Sequence, residues 1–115
     1  MTPEKENLIL NKTFRFSLEI IAYTELLESK RRFNMANQLF RSGTSIGANV
    51  REAQGAESKA DFRHKMKIAY KEAEETKYWL ELCKSSPSYP DPAQLASEIM
   101  SLQRILGKII TSSQN

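Results

Sequence analysis

Between Phe62 and Cys83 the chain carries Phe62, Met66, Ala69, Ala73, Thr76, Leu80 and Cys83, apolar or small residues alternately four and three positions apart. A strand would scatter this set over both of its faces, whereas a helix gathers it into one stripe. An average spacing of 3.5 residues, kept over three repeats, is the seam of helices that lie lengthwise against one another. Most helical stability comes from packing such a stripe, so the pattern demands further helices along the same seam.

The rest of the chain supplies them. A first helix is predicted over about residues 9–30, with Phe14, Leu18, Ile21 and Glu25 on one stripe and Phe16, Ile20, Tyr23 and Leu27 on another, which predicts two packing partners. Thr2-Pro3-Glu4 offers an earlier start, a cap followed by Pro at the first helical position, but the periodicity favours the later one. Lys30-Arg31-Arg32 places positive charge at the helix end, and Asn34 offers a cap for a second helix over about residues 35–54. That helix has its seam at Ala36, Leu39, Gly43, Ile46, Val50 and Ala53. Its middle, Ser42-Gly43-Thr44-Ser45-Ile46-Gly47-Ala48, is poor in helix propensity, each Gly costing about 1 kcal/mol relative to Ala. Small side chains there predict a tight crossing with another helix; the alternative is a loop that splits the segment and leaves a three-helix bundle. Ser58-Lys59-Ala60-Asp61 is a near-match to a capping box and opens the third helix, about residues 59–84. Ser85-Ser86-Pro87-Ser88-Tyr89-Pro90 breaks it. Asp91 as cap with Pro92 at the first position starts a fourth, about residues 92–111, whose apolar face is Leu95, Ile99, Leu102, Leu106 and Ile109. The expected fold is all-α, a single-domain antiparallel up-and-down four-helix bundle spanning 1–115.

The 115 residues, 40% of them hydrophobic, suffice for one core. No apolar run approaches the roughly 20 residues that span a bilayer, and Met1-Thr2-Pro3-Glu4-Lys5-Glu6 is too polar for a signal peptide, so a cytoplasmic protein without membrane contact is expected. Chemistry is constrained by one His and one Cys. A carboxylate-bridged metal pair in a bundle needs Glu-x-x-His twice, and Asp61-Phe62-Arg63-His64 offers the spacing once. A tetrahedral zinc site is equally short of ligands. Cys83 falls on the heptad seam, where a small buried residue is wanted. Ser42, Thr44 and Ser45 have no His nearby in sequence, and Gly43 and Gly47 lack the Lys of a phosphate loop. No catalytic residue, metal, cofactor or small-molecule substrate is therefore expected.

Net charge is +3, mildly basic, with neither half of the chain forming a basic tail. The third helix has an uneven layout: Lys59, Arg63, Lys65, Lys67 and Lys71 against Asp61 in its first half, then Glu72, Glu74, Glu75 and Glu81 against Lys77. The helix dipole prefers the reverse. Arg63, Lys67 and Lys71, four residues apart, form one basic stripe beside His64. Three readings stand: a solvated face, a phosphate-binding stripe, or a basic half that meets the acidic half of the same helix in another subunit to build a ring. On the second helix Ser42, Gly43, Ser45, Gly47 and Asn49 are candidates for helix or subunit packing, with Asn49 placed to hydrogen-bond inside the bundle and fix its register.

The run Arg41-Ser42-Gly43-Thr44-Ser45-Ile46-Gly47-Ala48-Asn49-Val50-Arg51-Glu52-Ala53, followed by Ser58-Lys59-Ala60-Asp61-Phe62, Glu72-Ala73 and Tyr78-Trp79-Leu80-Glu81-Leu82, resembles the bacterial four-helix-bundle proteins encoded in intervening sequences of large-subunit ribosomal RNA genes. The resemblance extends to the first helix through Lys12-Thr13-Phe14-Arg15-Phe16, and to the fourth by pattern alone. It implies a helix through the glycine-containing stretch, a ring-shaped homopentamer and no attached catalytic residues. The chain is also similar to the accessory proteins of diversity-generating retroelements, basic pentamers that bind nucleic acid and a reverse transcriptase, although its net charge is weaker. The expectation is a non-catalytic homopentamer that binds RNA or a ribonucleoprotein through Arg63, Lys67 and Lys71, with Lys30, Arg31 and Arg32 as a second cluster. The alternative is a structural or adaptor protein acting through protein contacts alone.

Overall fold

The computed structural model describes residues 3–113. Four helices follow one another: α1 (Pro3–Ser29), α2 (Phe33–Ala53), α3 (Lys59–Ser85) and α4 (Ala93–Ser112). Each packs against the next, and α4 closes the ring against α1, the lightest of the four pairings. Short connections force the helices to alternate in direction, giving an up-and-down bundle with extents of 46 × 20 × 20 Å.

α1 begins at Pro3 rather than near Ile9. Pro suits the first helical position because its φ is already helical and its missing N–H would have had no partner there. Thr2, considered as the cap of such an early start, lies outside the described residues. One of the two α1 stripes enters the core: Phe16, Ile20, Tyr23 and Leu27 are buried, together with Ile9 and Thr13. The other does not. Phe14 and Leu18 are half exposed, at 49% and 55%, and Glu25 is exposed. In a four-helix arrangement the inward face of a helix meets both neighbours at once, so one stripe serves α2 and α4 together.

The turn after α1 differs from the expected cap at Asn34. Arg31 takes the left-handed conformation (φ 62°), its N–H donating to the Glu28 carbonyl at 2.9 Å while the Arg32 N–H reaches the Leu27 carbonyl at 2.8 Å. This is the paired closure that satisfies the last carbonyls of a helix, here without the usual Gly. The turn is compact enough for α2 to start at Phe33, ahead of Asn34, so Asn34 lies within the helix and no side chain caps it.

α2 runs unbroken through its glycines. A Cβ on Gly43 would sit 2.8 Å from the Ile20 side chain, and one on Gly47 would sit 3.3 Å from both the Thr13 Cβ and carbonyl oxygen. The facing α1 residues keep their hydroxyls within their own helix: Thr13 donates to the Ile9 carbonyl at 2.8 Å and Ser17 to the Thr13 carbonyl at 2.9 Å. Two helices therefore cross closely with no polar group left bare, and this contact offsets the propensity cost of the glycines.

The heptad residues Met66, Ala69, Ala73, Thr76, Leu80 and Cys83 of α3 are buried. Ser58 caps the helix by accepting from the Asp61 N–H at 3.0 Å; the Asp61 carboxylate, shorter than the usual Glu, accepts from the Glu57 N–H at 3.3 Å. At the start of α4 the Asp91 carboxylate accepts from the Ala93 N–H at 3.1 Å, but the helix begins at Ala93, so Pro92 stands at the cap position rather than at the first helical one and Asp91 one residue before it. The connection between α3 and α4 is tied down by the Tyr23 hydroxyl, which donates to the Pro90 carbonyl at 2.6 Å.

Candidate nucleic-acid interface

The basic half of α3 does not form one uninterrupted stripe. The Arg63 guanidinium donates to the Ser113 carbonyl at 2.7 Å. The reason is topological: α4 runs antiparallel to α3, so its C-terminal carbonyls lie beside the first turns of α3, where a cation is favoured. Lys65 pairs with Glu52 of α2 at 3.1 Å. Lys67 and Lys71 remain exposed, one turn apart, and neither makes an ion pair among the described residues. They border a shallow surface hollow with Tyr70, Glu74, Gly107 and Ile110. His64 is exposed beside them.

The acidic half of α3 is partly engaged inside the chain. Arg41 of α2 bonds Glu72 at 3.1 Å and also Glu75, which accepts in addition from the Trp79 indole N–H at 3.1 Å. The Glu75 carboxylate holds the Arg41 guanidinium above its ordinary pKa. A ring built from acidic and basic halves of α3 would have to draw on Glu74, because Glu72 and Glu75 already have Arg41 and Glu81 lies 4.0 Å from the Lys77 ammonium.

The second cluster is divided as well. Lys30 and Arg31 are exposed, but Arg32 lies over the Tyr89 ring, 5.2 Å from its centre, and donates to the Ser88 hydroxyl at 3.0 Å. Arg32 thus fastens the turn after α1 to the connection before α4, combining cation–π attraction with a hydrogen bond. It also fixes this cluster at the end of the bundle where α3 finishes. Lys67 and Lys71 lie about 20–27 Å away along α3, at 1.5 Å per residue. The two groups do not merge into one patch within a chain.

Of the packing candidates on α2, Ser42 is buried and its hydroxyl lies 2.9 Å from that of Thr76. Thr76 has one proton and also sits 2.7 Å from the Glu72 carbonyl, so it donates to the carbonyl and accepts from Ser42. Gly43 and Gly47 face α1 as described. Ser45 donates to the Arg41 carbonyl at 2.6 Å. Asn49 donates to the Ser45 carbonyl at 2.8 Å on its own helix, so the expected register-fixing bond across the bundle is replaced by a bond within α2. A side chain one position from the seam points along the helix flank, within reach of the preceding turn rather than of a neighbouring helix.

Two features lie beyond the sequence-based expectations. On the outer side of the α1–α2 crossing, Leu10, Phe14, Leu18, Ile21, Phe40 and Ala48 line an open apolar groove of about 510 Å³. Its signal is the second stripe of α1, which periodicity alone assigns to an internal partner. Between α1 and α4, Glu19 and Glu98 line a cavity of about 180 Å³ with Lys12, Arg15 and Ser101. Glu19 is pushed up to about 7, first by its hydrogen bond with Glu98, then by burial and by the Glu98 charge. No periodicity rule could have matched two carboxylates so distant in sequence.

Cys83 is buried, and burial pushes its thiol above the ordinary value, as it does the neighbouring Tyr23 hydroxyl. Among the described residues no group of three or more His, Cys, Asp or Glu side chains is placed to hold a metal ion, and no helix is long and apolar enough to cross a membrane.

These features define a small antiparallel four-helix bundle whose distinctive parts are surfaces: exposed lysines on α3 and an apolar groove over α1 and α2. The chain belongs to the 23S rRNA-intervening sequence protein family, which it matches over residues 5–111. It is similar to the crystal structure of a protein of unknown function from the S23 ribosomal protein family of Bacteroides thetaiotaomicron, with a TM-score of 0.88 and 38% identity, covering 93% of this chain and 98% of that one. No functionally curated protein matches the sequence.

Proposed function

We propose that the protein is a non-catalytic, cytoplasmic, homo-oligomeric bundle that binds RNA or a ribonucleoprotein through exposed basic residues. The observation that carries this reading is the pair Lys67 and Lys71, exposed on one face of α3 and outside every ion pair among the described residues. Lys30 and Arg31 add charge at the far end. The family is described by 23S rRNA intervening sequences, and RNA is accordingly the ligand of choice under this proposal. The oligomer is a homopentamer, as both resemblances imply, the similarity to retroelement accessory proteins included. Five copies of a chain of net charge +3 carry +15, and a ring presents each weak lysine pair five times, which converts modest contacts into avidity.

Fluorescence anisotropy with a structured RNA, repeated over a range of salt, tests it. Wild-type affinity should fall steeply as salt rises, and Lys67→Glu with Lys71→Glu should weaken binding at least tenfold and flatten the slope by about 0.7–0.9 for each phosphate that is no longer neutralised. Arg63 is left unchanged in this variant because it holds the end of α4. Absence of RNA binding at low salt would overturn the reading. The apolar groove over α1 and α2 favours a second one, an adaptor that works through protein contacts alone, and that reading expects assembly to persist where RNA binding is absent.

A further inference from the structure

Glu19 on α1 and Glu98 on α4 meet across the most lightly packed pairing of the bundle and line one cavity between the two helices. One oxygen of Glu19, Oε2, is covered and no donor among the described residues reaches it, so Glu19 and Glu98 can bond each other only when one of them carries a proton. Glu98 is held from its own helix by Gln94, whose amide donates to Oε1 at 3.2 Å. An ionised carboxylate can only accept, so two ionised side chains in this arrangement have no donor between them and repel. A single proton changes both facts, since a protonated carboxyl donates to its neighbour and removes the like charge.

We infer that Glu19 and Glu98 form a proton-operated latch between α1 and α4, closed when the pair shares a proton and loosened when it loses it. Other charges facing the pair come from the same two sides. Lys12 and Arg15 line the cavity from α1, and Tyr23 and Asp91 line the adjoining hollow that Glu19 also borders; α2 and α3 contribute no residue to either. Lys12 and Arg15 favour the ionised pair and limit how far the seam opens, while Asp91 opposes ionisation. The native fold holds the Glu19 proton up to about pH 7, against an ordinary value of 4.5. Because the folded state binds this proton more tightly than the unfolded chain, the stabilisation is complete below pH 4.5, is lost as pH rises towards 7 and is absent above it.

The test is the unfolding of the full chain by guanidinium at fixed protein concentration, followed by circular dichroism from pH 4.5 to 8.5. In wild type the unfolding equilibrium constant should rise with pH across the window from 4.5 to about 7, by up to about tenfold per pH unit and by less where solvent screens the pair. Glu19→Gln and Glu98→Gln each place a permanent donor of the same shape at the seam, and each should flatten that rise. A parallel titration followed by carbonyl carbon NMR should put the Glu19 midpoint near 7. A variant that keeps the wild-type slope, or a Glu19 midpoint in the ordinary carboxylate range, would overturn the latch.

Discussion

At the α1–α2 crossing the absence of a side chain decides the packing. At Gly43 an added Cβ would meet three carbons of Ile20 within 2.9 Å, two of them attached directly to a stiff β-branched Cβ. Gly43→Ala should therefore destabilise the protein by about 1–3 kcal/mol despite the better helix propensity of Ala, because the close crossing must open. Gly107 on α4 is the control: its added Cβ would lie 3.9 Å from Tyr70, an ordinary contact, so Gly107→Ala should stabilise by about 0.5–1 kcal/mol. Denaturant midpoints of the two variants, measured together, should move in opposite directions. Arg63 gives a second case in which a residue acts through a neighbour's backbone. Removing its guanidinium leaves the Ser113 carbonyl without that donor, and Arg63→Ala should cost about 1 kcal/mol, with faster hydrogen exchange in the last turn of α4.

Contacts between whole elements explain which parts of the molecule the sequence announced. α2 and α3 share a buried polar pair, in which the Ser42 hydroxyl donates to that of Thr76 and Thr76 donates to the Glu72 carbonyl. Thr76→Val leaves the Ser42 hydroxyl buried without its acceptor and should cost about 1–3 kcal/mol, whereas Ser42→Ala with Thr76→Val should cost less than the sum of the single changes, a coupling that a double-mutant cycle reads directly. Helix α3 is legible because its seam repeats strictly and every member from Met66 onward is buried. α4 is legible because Asp91 and Pro92 carry local signals that depend on nothing distant. What escapes a reading of the sequence depends on partners remote along the chain. The basic stripe is continuous in sequence, yet Arg63 finds a carbonyl 50 residues away, and the Lys30–Arg32 cluster is uniform in sequence, yet Arg32 meets Tyr89. The second stripe of α1 is apolar as expected but external rather than internal, since periodicity reports that a face wants covering without saying what covers it.

For the whole molecule, that uncovered stripe is the main argument for assembly. A chain measuring 46 × 20 × 20 Å has filled its interior and still leaves Phe14, Leu18 and Phe40 about half exposed along one groove. Contiguous apolar surface of this kind is costly on a protein that stays alone in water, and large apolar side chains gathered in one place are the anchors of protein interfaces. In the proposed homopentamer the groove meets a neighbouring copy, and the charge pattern of α3 becomes secondary to it, since Arg41 already pairs with Glu72 and Glu75 within each chain. Leu18→Lys with Phe40→Glu should therefore dissociate the oligomer without unfolding the bundle, because neither side chain belongs to the core. Removing each anchor costs about 2 kcal/mol of association, so the double variant should assemble roughly a thousandfold more weakly. Light scattering coupled to size-exclusion chromatography, with circular dichroism on the same samples, separates the outcomes. A helical monomer from the variant beside a wild-type oligomer supports the groove as the subunit contact; a variant that keeps the wild-type mass places the contact elsewhere, and a monomeric wild type removes the oligomer and the avidity argument with it.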